Sequence, residues 1–172
     1  PGRAEIIDEG QNFTVIVDYA YEPAGIAAIY SLVDKIPHHK IIHVTGSAGG
    51  GRDVARRPVL GRMAAERAEV VIVTNEDPYD DDPMNIINQV AEGAEEIYGG
   101  RTSDYDRGTT SHYVLRILDR KEAIAKALSL AQDGDLVLIT GKGAEPVMAV
   151  ANGEKIPWDD RVVARREIKN KI

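Results

Sequence analysis

Cysteine is absent from the 172-residue sequence. Disulfides, thiol catalysis and cysteine-bound metal are thereby excluded, and the composition fits a reducing, cytoplasmic setting. Basic residues are in the minority, 21 Lys and Arg against 28 Asp and Glu, for a net charge of −7. A general nucleic-acid binder needs the opposite balance, because it must neutralise phosphates. No apolar run approaches the ~20 residues of a membrane-spanning helix. No Gly-x-x-x-x-Gly-Lys-Ser/Thr loop occurs, so the chain holds no phosphate-activating centre of that kind. The four histidines show no H-E-x-x-H spacing, and no Ser-His-Asp arrangement is defensible. We find neither an internal repeat nor a low-complexity segment. The chain starts at Pro1, which reads as an excised fragment or a processed product. What is present is 43% hydrophobic residues, enough to bury the core of one domain.

The apolar residues fall into buried strands alternating with amphipathic helices. Thr14–Asp18, Ile41–Thr45, Val70–Thr74, Tyr113–Leu118 and Leu136–Thr140 are short runs of strand type,. Between them, Ile26, Ile29, Tyr30, Val33 and Ile36 predict a helix from Pro23 to the stop at Pro37,. Pro58 is expected to open a second helix reaching about Arg67, and Ile87, Val90, Ala91, Ala94 and Ile97 mark a third. A fourth covers Arg120 to Ala131, and Gly99 to His112 reads as a polar surface loop. Val147 to Ile156 suggests a small hairpin around Asn152-Gly153, and Asp159 a cap for a last helix to about Lys169,. The expectation is α/β: a single Rossmann-like domain with a mostly parallel sheet and helices on both faces. Ligands of such sheets bind at the C-terminal strand ends.

Those ends carry the unusual chemistry. The loop from Gly46 to Asp53, followed by Arg56-Arg57-Pro58, offers glycines for close backbone approach and arginines for phosphate or carboxylate,. An ordinary flexible turn with solvated arginines explains it equally well. The loop Asn75-Glu-Asp-Pro-Tyr-Asp-Asp-Asp-Pro83 crowds five carboxylates into seven residues, which attracts an ammonium group or a divalent metal. Asp81 and Asp82 precede a helix, and there capping and dipole compensation account for them. Glu76 and Asp77 stand at the strand end and suit a ligand better. Gly141-Lys-Gly143 with Glu145 can face a ligand, or be a plain turn with a surface Lys and Glu. Tyr19 and Tyr21 can stack a base or sugar, or simply cover the sheet's open end.

Taken in order, Val17-Asp18-Tyr-Ala20, Pro23, Gly49-Gly-Gly-Arg-Asp53, Arg57-Pro58, Glu76-Asp-Pro78, Gly141-Lys-Gly143 with Glu145, and Pro157-Trp-Asp-Asp-Arg161 resemble one family. This is the C-terminal domain of the Mur ligases, and within them the ligases that add the third amino acid to the cell-wall peptide precursor. The opening Pro1-Gly-Arg3 is similar too, and the resemblance covers nearly the whole of 1–172. It implies a three-domain enzyme whose N-terminal and central ATPase domains are not in this chain. The central domain would bind ATP and magnesium. ATP would phosphorylate the D-glutamate carboxylate of a UDP-linked muramoyl dipeptide, and the incoming amino acid would attack the acyl phosphate. The resemblance therefore implies an isolated chain without ligase activity, no nucleic-acid or membrane partner, and no metal held here.

Carried over by motif, Arg52 would meet the amino acid's carboxylate. Glu76, Asp77, Pro78 and Tyr79 would select its side chain, and Gly141 and Glu145 would complete the pocket. Asp18, Tyr19, Asp53 and Arg57 would face the nucleotide. The sequence departs from the family in places. Users of meso-diaminopimelate read Asp-Asn-Pro-Arg at the selection motif, and here Tyr79 replaces the arginine. That acidic loop leads us to expect L-lysine, or another basic diamino acid, rather than meso-diaminopimelate. Tyr21 and Ala144 stand where the family has histidines, and Arg56 where it has lysine. Two alternatives remain. One is a related ligase of the folylpolyglutamate or cyanophycin type. The other is a stand-alone domain that binds an amino acid or nucleotide without chemistry.

Overall fold

The computed structural model describes residues 1–99 and 112–171. The loop expected between Gly99 and His112 thus lies, but for its two ends, outside the described residues. Eight strands are described: β1 (Glu5–Ile6), β2 (Thr14–Asp18), β3 (Ile41–Thr45), β4 (Val70–Thr74), β5 (Tyr113–Ile117), β6 (Leu136–Thr140), β7 (Val147–Ala149) and β8 (Lys155–Pro157). The helices are α1 (Pro23–Val33), α2 (Arg56–Ala65), α3 (Pro83–Tyr98), α4 (Arg120–Leu130) and α5 (Asp160–Lys171). Six strands form one sheet in the order β1-β2-β6-β3-β4-β5. All neighbours are parallel except β1, which runs antiparallel to β2. The separate β7–β8 hairpin turns at Ala151–Gly153, where Asn152 and Gly153 both take positive φ.

The central strands β3, β4 and β6 are buried along their whole length, as runs rich in Val, Ile and Leu, broken in β3 by His43, require of strands covered on both faces. One core layer joins the sheet to α1, α2 and α3 through Ile26, Tyr30, Leu60, Ile87 and Val90. The other joins it to α4 and α5 through Ile124, Leu128, Val163 and Ile168. The chain thus winds along one face from β2 to β5, and then returns on the other face to insert β6 between β2 and β3. In an open parallel sheet that reversal opens a crevice at the strand ends.

Three local differences from the sequence reading have physical reasons. First, α1 ends at Val33, but Lys35 and Ile36 donate to carbonyls three residues back. A tighter turn continues the apolar spacing after the α-helix has stopped. Second, α2 begins at Arg56, two residues before Pro58. Pro58 is still in the first turn, where a missing N–H breaks no helical bond. Third, β1 is only two residues long and carries no alternation from which to read it. The caps agree better. The Asp82 carboxylate accepts from the Met84 amide at the start of α3, and Gly99 ends that helix in the left-handed region. The Asp159 carboxylate likewise accepts from the Arg161 amide in the first turn of α5.

Candidate functional site

The strand register lines up the C-terminal ends. Asp18 of β2 pairs with Thr140 of β6, and the Thr140 hydroxyl meets the Thr45 hydroxyl of β3 at 3.2 Å. His43 lies beneath them, fully buried, between the Tyr30 hydroxyl at 2.8 Å and the Thr140 hydroxyl at 2.9 Å. Burial drives its pKa down to about 3, so the ring is a neutral core group rather than a proton carrier.

Apart from Glu76, the carboxylates of the acidic loop after β4 are paired within the domain. Asp77 places both oxygens 2.9 Å from the Lys142 ammonium and also accepts from the Ala149 amide at 2.7 Å. Its own carbonyl takes the Gly49 amide at 2.8 Å. Lys142, which a plain turn would leave on the surface, is 1% exposed, and it is shared with Glu145. The second Glu145 oxygen accepts the Tyr19 hydroxyl at 2.8 Å. Burial and that contact raise the Tyr19 pKa to about 12. Asp80 caps the amide of Asn152 in the hairpin turn, and Asp82 caps α3. Asp81, expected to serve the α3 dipole, instead reaches the buried Arg57 at 3.3 Å. Pro78 is buried, while Tyr79 takes positive φ and lies against Gly50 of the glycine loop. The acidity behind the lysine expectation is thus largely spent on internal partners.

Glu76 differs from the rest. It is 4% exposed, and one carboxyl oxygen has no partner among the described residues. Burial raises its pKa to about 7, against the opposing pull of Arg120. The side chain is wedged between Gly46 and Gly141. A Cβ built on Gly141, which takes φ +112°, would lie 2.8 Å from the Glu76 carboxyl carbon, so a side chain there is strained and must displace the carboxyl. The other buried side-chain atoms without partners among the described residues are the Ser47 hydroxyl, two Arg56 nitrogens and the Arg57 Nε. All belong to the glycine loop or the start of α2. Buried polar atoms are ordinarily satisfied. These atoms lie in the segments that follow β3 and β4, at the C-terminal ends of the strands.

Arg120 and Asp160 were given no role by sequence reasoning. Both side chains are fully buried and joined twice, at 2.8 and 2.7 Å. Arg120 also donates to the carbonyls of Asn75 and Thr140, and Trp158 donates its indole N–H to Asp160. The Trp158-Asp-Asp-Arg161 motif was the available signal. Nothing near Arg120 in sequence announces its distant partner.

The nucleotide-facing candidates divide. Asp18 and Tyr19 line a cavity of about 490 Å³ with Arg3, Tyr21 and Ile29. Both Asp18 oxygens are already taken, by the Ala4 and Ala20 amides at 2.7 Å. Tyr19 and Tyr21 meet edge to face at 5.2 Å, with Arg56 over the Tyr21 ring. Asp53 is exposed and caps the Ala55 amide, and Arg57 is held by Gln89 as well as Asp81. Arg52 is exposed, and its guanidinium has no hydrogen bond or ion pair among the described residues, so it is free to meet an anion. Among the described residues there is no cluster of three metal-ligating side chains and no helix long and apolar enough to cross a membrane.

The family model described as Mur ligase, glutamate ligase domain, matches residues 2–143. The chain belongs to this family. A UDP-N-acetylmuramoyl-L-alanyl-D-glutamate--2,6-diaminopimelate ligase of Geobacillus kaustophilus is 37% identical over 99% of the chain and 32% of its own length. A UDP-N-acetylmuramyl-tripeptide synthetase of Roseiflexus sp. is 40% identical over 97% of the chain and 31% of its own length. A solved diaminopimelate ligase structure superposes on 99% of the chain and 32% of its own, with a TM-score of 0.78 at 30% identity. A folylpolyglutamate synthase of Mycobacterium tuberculosis shares the fold alone, with a TM-score of 0.57 at 23% identity over 82% of the chain. The Mur ligase domain therefore spans about a third of the length of these relatives. The Geobacillus relative and the solved ligase are both named for diaminopimelate, and neither they nor the Roseiflexus synthetase is named for lysine. The lysine expectation thus gains no support from these relatives.

Proposed function

We propose that this Mur ligase domain binds the incoming amino acid of an ATP-dependent ligase acting on UDP-N-acetylmuramoyl-L-alanyl-D-glutamate in the cytoplasm. The nucleotide-activating domains would occupy the remaining two thirds of the relatives' length. The observation that carries this reading is the cluster of unpartnered buried groups at the crevice. Glu76 supplies an acceptor for an ammonium, and the exposed Arg52 a bidentate donor for a carboxylate,. A zwitterion satisfies both at once. Held this way, the amino group would be oriented for attack, a contribution of positioning rather than of covalent chemistry.

The names of the relatives support meso-diaminopimelate as the first candidate side chain, with L-lysine as competitor. Bound ATP would supply the phosphoryl group. Arg56, two of whose nitrogens lack partners while the third faces Glu22 at 3.7 Å, suits its phosphates better than Asp18, whose oxygens serve backbone amides. Magnesium would be held by the rest of the ligase, since every aspartate of the acidic loop here is committed to Lys142, Arg57 or backbone amides.

The test is amino-acid-dependent ADP release by the ligase that carries this chain, with the UDP-linked dipeptide and a panel of meso-diaminopimelate, L-lysine and L-ornithine. A response to at least one diamino acid, lost in Arg52→Ala, is expected. Silence across the panel would overturn the reading, and a preference for lysine would overturn the choice of side chain.

A further inference from the structure

We propose that Arg120 is a positioning residue for the amino-acid pocket: it sets the spacing between the loops after β4 and β6, and so holds Glu76 against Gly141. The inference rests on the amino-acid reading above and adds a group that touches no ligand. Its guanidinium lies beneath the crevice with no solvent exposure. One nitrogen donates to the Asn75 carbonyl at 3.2 Å and another to the Thr140 carbonyl at 2.8 Å. These carbonyls belong to the residues immediately before Glu76 and Gly141. A single rigid fork therefore ties together the two backbone segments whose separation decides where the free Glu76 oxygen sits. The fit between them is close, since Gly141 adopts φ +112° and leaves no room for a side chain beside the carboxyl.

Asp160 fixes the fork in turn. It accepts from Nε at 2.8 Å and Nη2 at 2.7 Å, and it is itself oriented by the Trp158 indole at 2.8 Å. The pair carries no net charge, and this matters for the charge balance of the site. Arg120 draws the Glu76 carboxyl toward its ionised form, while Asp160 and Asp77 oppose it and Lys142 assists. A lysine at position 120 would keep the charge but lose the planar fork, and one ammonium cannot serve Asp160 and both carbonyls in the same directions. A pair that served stability alone would behave differently. Buried ion pairs can commonly be exchanged for apolar side chains of similar volume with little loss of stability. An exchange of that kind separates holding the fold from holding the site.

The experiment compares the wild-type ligase with Arg120→Lys and with the double variant Arg120→Met, Asp160→Leu, measuring the KM for amino acid, ATP and dipeptide together with Tm. We expect Arg120→Lys to raise the amino-acid KM about tenfold, below the roughly hundredfold loss that a full 1 Å misplacement can cause. The ATP and dipeptide KM should stay within about twofold, because their contacts are not routed through this pair. The double variant also takes the partners from the Asn75 and Thr140 carbonyls and the Trp158 indole, so it should melt several degrees below the wild type, yet stay folded and show the same selective loss. An unchanged amino-acid KM in Arg120→Lys, or a parallel rise of all three KM values with a fallen Tm, overturns the proposal, whatever becomes of the double variant. A wild type without amino-acid-dependent ADP release sinks the underlying reading and this inference with it. An active wild type with an unmoved variant sinks the inference alone.

Discussion

Asp77 grips the Lys142 ammonium with both carboxylate oxygens, each at 2.9 Å, at the place where the sequence suggested a receptor for a substrate's ammonium. The receptor is real in chemical type, but its occupant is internal. Lys142 is buried, whereas Asp77 is 18% and Glu145 35% exposed in their side chains. Truncating Lys142 to Met leaves two carboxylates facing each other without a cation. With allowance for their solvent contact, a loss on the order of 2–3 kcal/mol is expected. Urea unfolding of the variant beside the wild type measures it, and an unchanged midpoint would show that water already screens the pair.

Glu76→Gln is expected to stabilise the domain at neutral pH. The folded-state pKa is raised from 4.5 to about 7, so the folded protein keeps a proton that the unfolded chain has released. The stability cost is absent below pH 4.5, grows as pH rises, and is complete above about 7. By the shift it is on the order of 3 kcal/mol. Melting curves should show the variant ahead of the wild type at pH 8 and level with it at pH 4.

His43 works in the opposite direction. Its pKa falls from 6.5 to about 3 on folding, so the unfolded chain binds the extra proton and stability declines as pH drops from 6.5 toward 3. His43→Gln should flatten that acid decline while losing some stability at pH 7, where the bonds to Tyr30 and Thr140 are disturbed. A decline as steep as the wild type's would assign the acid sensitivity to other groups.

Two glycines of positive φ provide a matched contrast. Gly141→Ala meets both backbone strain and the Glu76 carboxyl, whereas Gly153→Ala at the hairpin turn meets nothing within 4 Å. Backbone strain alone costs about 1–3 kcal/mol, so both variants should lose some stability. Only Gly141→Ala should also lose amino-acid binding, read by isothermal titration of the ligase. Equal binding in the two would remove Gly141 from the pocket.

Gly61→Ala tests the packing behind the site. A Cβ there collides with the Val90 carbonyl, and on the facing helix one at Gly93 would lie 2.7 Å from Pro58 Cα. These two glycines let α2 and α3 meet backbone to backbone, and overpacking at such a contact costs roughly 1–3 kcal/mol. A Tm drop of several degrees is expected, and a neutral result would mean that the helices can separate cheaply.

Much of this architecture was legible in the sequence because it depends on local signals. Short runs rich in Val, Ile and Leu gave β3, β4 and β6, Asp82 and Asp159 announced helix starts, and Asn152-Gly153 gave the hairpin. The loops of the site were legible for the same reason, since runs of glycine and of carboxylates follow directly on the strands β3 and β4. The pairings within the site were not legible. Nothing in the local sequence says that Lys142 turns inward to Asp77, that Asp81 reaches Arg57 across 24 residues, or that Arg120 and Asp160 meet across 40. Such partners are chosen by the crossing of distant loops. The expectation of lysine as substrate rested on counting carboxylates without knowing which were already paired.

The strand order also governs how the molecule can assemble. β6 fills the middle of the sheet, yet it is the last of the six strands along the chain. Until residues 136–140 have left the ribosome, β2 and β3 have no neighbour between them and expose unpaired edges that can template aggregation. About four-fifths of the chain must be made before the sheet can close, a long-range requirement of the kind that slows folding. Since Gly141 follows β6 directly, the crevice takes shape in the same late step, so a nascent chain halted before that point has neither a continuous sheet nor the crevice at its strand ends.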